Sequence, residues 1–260
     1  MIFIFVLILF LLTILIEIIN FFIKFRIRFE IGTLLGIFLL IMYEIIIRSI
    51  LIKTLAITNT FEALIFFSGV ITLIILLYIL LNLKKGIQNT LVFITTIVAF
   101  SIFAICLSPI APQEIKMPLP ALKSGWLVLH VSLTFIGEAF FAFAFASGIY
   151  YFLIKNEAQK EALERIINKS IIIGYPLFTS GALLFGAIWA YYAWGRFWGW
   201  DPKETFALIT WLVYTIYLHL RLVSKTRKEI TVIVQIIGFL LALFTFLGVN
   251  FLLSGLHSYR

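Results

Sequence analysis

Three histidines, His130, His219 and His257, are the side chains best suited to chemistry in this 260-residue chain, and each lies in or beside a long apolar run. An ionisable side chain within an apolar span is costly and is a functional candidate by default. Imidazole is also a standard axial ligand of haem iron. The residues alone leave a plainer reading open for each histidine, as a packing or interfacial group. Copper and zinc are further partners for imidazole, but no carboxylate or thiolate cluster accompanies these positions. The single cysteine, Cys106, sits in an apolar run, which excludes an intramolecular disulfide and a CxxC redox site.

The segment Trp194-Gly-Arg-Phe-Trp-Gly-Trp-Asp-Pro-Lys-Glu204 is the second concentration of chemistry. Tryptophan prefers the membrane–water interface, which accounts for one or two of these rings. It accounts poorly for Trp194, Trp198 and Trp200 together, separated by Gly195 and Gly199. Flat indoles spaced by glycine can line a slot for a planar macrocycle, and their N–H groups can donate to carboxylates at its rim. Trp189 and Trp211 extend the aromatic surface or simply pack. Asp201, Pro202 and Glu204 form a helix-start signature close to a capping box. Lys203 and Arg196 then remain available for anionic groups, whether macrocycle carboxylates or lipid phosphates.

These residues need a membrane to position them. The chain is 63% hydrophobic and 12% charged, half the charge of an ordinary soluble domain. Eight stretches are long enough to span roughly 30 Å of hydrocarbon: about 2–23, 31–52, 61–82, 90–108, 126–154, 171–193, 205–224 and 230–254. The expected fold is therefore an all-α bundle of eight spans in a single membrane domain over 1–260. The first stretch ends in Lys24, Arg26 and Arg28 and reads as a span rather than a cleaved signal. The net charge of +8 does not indicate nucleic acid, because the basic residues cluster in short segments between spans. Thirteen of the twenty Lys and Arg fall in alternate loops, which the positive-inside rule assigns to the cytoplasm, with both termini outside. The outer side then holds the proline-bearing segment 108–120 and the tryptophan loop. At about 1.5 Å per residue, His130 lies about 6 Å from the outer end of its span and His219 roughly 21 Å from the outer end of its own. His257 follows the last span on the outer side.

Trp194 to Thr205 resembles the tryptophan-rich WWD signature of a superfamily of haem-handling membrane proteins. Its continuation, Asp201-Pro-Lys-Glu-Thr205 with Ile209-Thr-Trp-Leu212, is similar to the CcsA (ResC) branch, which serves system II cytochrome c maturation. Leu119 to Val131, Leu218-His-Leu-Arg221 and Gly255-Leu-His-Ser-Tyr259 agree with that branch. The resemblance is strong from about 115 to 260 and weak over Asn59 to Gly69.

The resemblance implies roles residue by residue. His130 and His257 match the two outer-face histidines that flank the signature and ligate haem iron. His219 matches the histidine of a membrane-embedded haem site, whose opposite ligand comes from a CcsB (ResB)-like partner. Trp194, Trp198, Trp200 and Asp201 match the signature itself. The implied cargo is haem b, the implied substrate is apocytochrome c, and thiol-reducing proteins are possible further partners. Together with the CcsB-like protein, the chain would form a holocytochrome c synthase in a bacterial plasma membrane, or alternatively in a thylakoid membrane. Two rivals are a haem-loading protein of the CcmC type and a transporter or assembly factor that never binds haem. Glu17, Glu62 and Glu138 receive no role from the sequence.

Overall fold

The structure, a computed structural model, describes residues 2–22, 29–82, 89–223 and 227–252. Eight of its helices are long and apolar enough to cross a membrane: α1 (Ile2–Phe22), α2 (Phe29–Ile52), α3 (Thr60–Leu81), α4 (Asn89–Cys106), α5 (Gly125–Leu153), α6 (Glu157–Trp194), α7 (Pro202–Leu222) and α8 (Lys228–Leu252). No strand occurs among the described residues. The chain is an all-α, multi-pass membrane protein, as its composition requires: only helices and closed barrels satisfy backbone hydrogen bonds in hydrocarbon.

The helices group into two compact units, Met1–Lys123 and Ser124–Arg260. In the first, α1 packs on α2 and α4, and α3 packs on α2 and α4, closing a four-helix ring. The start of α3 is fixed by Asn59, whose side chain accepts the Glu62 N–H at 2.8 Å, while Glu62 accepts the Thr58 N–H at 2.9 Å. Arg48 on α2 is buried. It donates to Glu44 at 2.7 Å and to the Gln113 carbonyl at 2.8 Å, and lies over the Phe61 ring. This i, i+4 pair on α2 therefore also anchors the irregular proline-bearing segment.

The second unit is organised around α5, which packs on α6 and α8; α7 packs mainly on α8. The α5–α6 contact is a backbone approach made possible by small residues. A Cβ added at Gly137 would lie 2.8 Å from the Gly174 carbonyl, and one added at Gly181 would strike the Thr134 backbone. Helices in lipid gain little from burying apolar side chains against each other, so close backbone packing of this kind holds them together.

Two features depart from the sequence expectation. The sixth helix begins at Glu157, well before 171, because Asn156 caps it by accepting the Gln159 N–H at 3.1 Å. Its first turns are polar and carry much of the basic segment expected as a loop. Both α6 and α8 also contain π segments, at Thr179–Phe185 and Phe244–Gly248.

Candidate functional site

His130 stands on α5 opposite the π segment of α6. Its Nδ1 lies 2.8 Å from the Gly181 carbonyl oxygen. A carbonyl can only accept, so Nδ1 carries the proton and the neutral ring has its lone pair on Nε2. The same carbonyl accepts the Gly186 N–H across the π turn. The imidazole is parallel to the Trp189 indole, with centroids 6.0 Å apart and planes 4° from each other. Gly186 makes room for it: a Cβ there would sit 2.9 Å from Nδ1. Thr134 completes the setting by donating to the His130 carbonyl at 2.6 Å.

The tryptophan loop leaves α6 at Gly195, which caps the helix in the left-handed conformation (φ 76°). Glycine is suited to that position because it lacks a Cβ. Trp200 also has positive φ, 57°, although it is not glycine, and the residue is 69% exposed. A bulky residue in this region is strained, and such strain clusters at functional sites. The loop is held by Glu204, whose carboxylate accepts the Gly199 N–H at 2.7 Å and the Asp201 N–H at 3.2 Å. Asp201 in turn accepts the Lys203 N–H at 3.2 Å, completing the capping box that starts α7. The Asp-Pro-Lys-Glu run thus builds the helix start expected of it.

Trp189 meets Trp194 edge-on at 6.0 Å, and Trp198 meets Trp200 edge-on at 5.7 Å. The indole N–H groups of Trp194 and Trp198 are both buried and have no hydrogen-bond partner among the described residues. A buried donor left unpaired costs about 1–3 kcal/mol. Each of the two is therefore a candidate donor to a group that is not among the described residues. Lys203 turns toward α8 and α5. Its ammonium lies 6.0 Å from the Phe246 centroid and within electrostatic range of the buried Glu138 on α5. Arg196 lies against Gly199.

His219 lies near the far end of α7 from the loop, exposed on the surface of the unit, with Nδ1 2.8 Å from the Thr215 carbonyl of its own helix. It therefore shares the tautomer of His130, with the lone pair on Nε2. His257 lies outside the described residues. The structure thus brings His130 together with Trp189, Gly181 and Gly186, and keeps His219 apart. The sequence did not single out Gly181 or Gly186. A glycine pair within an aromatic-ended helix is the only signal it offers for them.

The cytochrome c assembly protein family matches residues 57–257. The chain belongs to this family. The matched stretch takes in α3 to α8, the tryptophan loop and all three histidines. Proteins named cytochrome c biogenesis protein CcsA are similar to it. The one from Chlamydomonas reinhardtii is 35% identical over 215 residues, covering 78% of this chain and 60% of the relative. That from Mesostigma viride is 35% identical over 238 residues, covering 78% of this chain and 76% of the relative. That from Prochlorococcus marinus (strain MIT 9515) is 32% identical over 262 residues, covering 85% and 80%. The chain thus spans 60% of the length of the Chlamydomonas relative.

Proposed function

We propose that the chain serves cytochrome c maturation by holding haem b and presenting it to apocytochrome c at the outer face of the membrane. The observation that carries this reading is the shared hydrogen bonding of His130 and His219. Each ring donates from Nδ1 to a backbone carbonyl, which leaves Nε2 as the metal-binding nitrogen and fixes its orientation, as for metal-ligating histidines generally. Among the described residues no three His, Cys, Asp or Glu side chains cluster to hold a bare metal ion. Isolated imidazoles suit an iron whose other ligands come from a macrocycle.

In this reading His130 and His257 ligate the iron at the outer site. The indole N–H groups of Trp194 and Trp198 donate to the propionates, and Trp200 supplies a flat face. Haem enters near His219. Because that ring is exposed on the surface of its unit, its opposite ligand would come from another polypeptide, a CcsB (ResB)-like membrane protein. Covalent attachment adds each thiol of a CxxCH segment across one vinyl group. Sulfur bonds to one vinyl carbon and the thiol hydrogen ends on the other, so no external oxidant is consumed. The apocytochrome's own histidine then displaces one axial imidazole and releases the product. Thiol-reducing proteins would keep the substrate cysteines reduced.

Absorption of the purified protein tests the reading. A Soret band that His130→Ala shifts or weakens is the expected result. A colourless protein, isolated with its partner from haem-replete membranes, would sink it.

A further inference from the structure

We propose that Trp200 is a docking residue for the polypeptide that receives the haem, and that Glu204 is the positioning residue that holds it ready. This rests on the reading above, in which one face of the Trp200 ring lies along the macrocycle; the addition concerns the side left open. The three tryptophans of the loop are not equivalent. Trp194 and Trp198 are half-buried, and their indole N–H groups are buried, whereas Trp200 is 69% exposed. Trp200 nevertheless belongs to the same aromatic cluster, because its ring meets that of Trp198 edge-on at 5.7 Å. A partner resting on Trp200 therefore lies one ring away from Trp198.

The exposure is imposed by the backbone. One oxygen of Glu204, Oε2, accepts the N–H of Gly199 at 2.7 Å and that of Asp201 at 3.2 Å, the residues on either side of Trp200. The Thr205 hydroxyl reaches the Trp200 carbonyl at 3.4 Å. Arg196 packs across Gly199, where an added Cβ would lie 2.8 Å from its Nε. The first turn of α7 thus grips the chain before, at and after Trp200, where φ is 57°. A bulky residue persists in this left-handed region only when its surroundings over-determine it.

Glycine at this position would remove the strain and keep the turn. A ring that only filled the loop, or lay at the level of lipid headgroups, would gain nothing from a fixed and strained backbone. A ring that must meet a partner from one direction does gain. It is preorganised, and exposed tryptophans set in this way anchor many polypeptide interfaces. The recipient of the haem matches that need. Its thiols must reach vinyl groups on the macrocycle that Trp200 flanks, so the segment bearing them has to lie across this loop. An unfolded segment loses entropy on binding, and an anchor already in place spares the protein a further loss.

Peptide binding tests this. A fluorescent CxxCH-type peptide with both cysteines changed to serine, which cannot be attached, is titrated by anisotropy against the chain in complex with its partner. Haem-loaded and haem-free complexes are both used, because the haem-free arm removes ligation of iron by the peptide's histidine. Trp200→Ala should weaken binding about tenfold or more in both arms. Trp200→Gly should weaken it as much while relieving the strain, so that loss of affinity is separated from loss of stability. Glu204→Ala should weaken binding with the ring still present, and Glu204→Gln, whose amide oxygen still accepts, should restore most of it. No binding by the parent, or equal affinity in the parent and both Trp200 variants, overturns the proposal. Equal affinity with poorer reconstitution into lipid would make the ring a lipid anchor instead. A parent that docks the peptide through Trp200 yet never carries haem would remove the haem reading and leave the docking intact. Should the Trp200 variants fail to assemble, p-benzoylphenylalanine in place of Trp200 decides. Light should cross-link it to the peptide, and capture of lipid alone would refute the docking.

Discussion

The Gly181 carbonyl oxygen accepts from two donors at once: the Gly186 N–H across the π turn, and Nδ1 of His130 at 2.8 Å. An α-helical carbonyl is normally occupied by its own ladder and shielded by the next turn. The widened turn in α6 exposes this one to α5, and so the local winding of one helix sets the protonation pattern of a ring on another.

Substituting Gly186 should therefore injure the histidine without touching it chemically. The Cβ of Gly186→Ala would lie 2.9 Å from Nδ1, forcing the imidazole off its acceptor. Haem content should fall severalfold at normal protein yield. Gly125→Ala, with nothing within 4 Å of its new Cβ, is the matched control and should be silent.

His130→Ala and His257→Ala should each abolish cytochrome c maturation, and added imidazole should partly restore it by replacing the missing ligand. Normal maturation in both single variants would dispose of the paired-ligand reading.

Trp194→Phe and Trp198→Phe keep a ring and remove the unpaired N–H. Each should lower haem occupancy while leaving protein yield the same or slightly higher, because an unsatisfied buried donor has been deleted. At Trp200 the backbone decides stability. With φ at 57°, Trp200→Gly should be more stable than Trp200→Ala by about 1 kcal/mol, although both lose the exposed ring. Thermal denaturation of the two variants in detergent compares them.

Asp201→Ala removes an N-cap and should cost about 0.5–2 kcal/mol, seen as lower yield or a lower melting temperature. Asp201→Asn should lose much less, since asparagine also caps. If both variants reached normal yield yet lost all haem, the charge of Asp201 would be acting on the cargo rather than on the helix.

His219→Ala, purified in complex with its partner, should lower haem per protein even with His130 and His257 intact. Unchanged occupancy at normal yield would leave the ring with only its bond to Thr215, a structural contact.

Much of this was legible in sequence. Apolar length gave all eight spans, and Asp201-Pro-Lys-Glu204 gave the capping box. The early start of α6 was not legible, because a hydropathy criterion sees only apolar turns, and Glu157 to Lys169 is helical but polar. Lys203 looked available to an anion at the loop. It instead points inward to Phe246, a choice made by packing across three helices that no local pattern encodes. The bond from His130 to Gly181 joins residues 51 apart, and its acceptor exists only because of the helix's irregular winding. The unpaired indoles are likewise a property of what surrounds them.

A π turn carries one residue more than an α stretch making the same number of turns. One position between Thr179 and Phe185 is thus surplus to the regular helix, and the counting of residues there matters as much as their kinds. Deleting one of them would heal the helix and leave everything beyond it facing as before. Trp189 and the tryptophan loop would keep their places, but the Gly181 carbonyl would return to a regular helical ladder and His130 would lose the acceptor that the widened turn presents to it. Lineages that keep this histidine in use should therefore keep the extra residue in α6 even where the residues around it change.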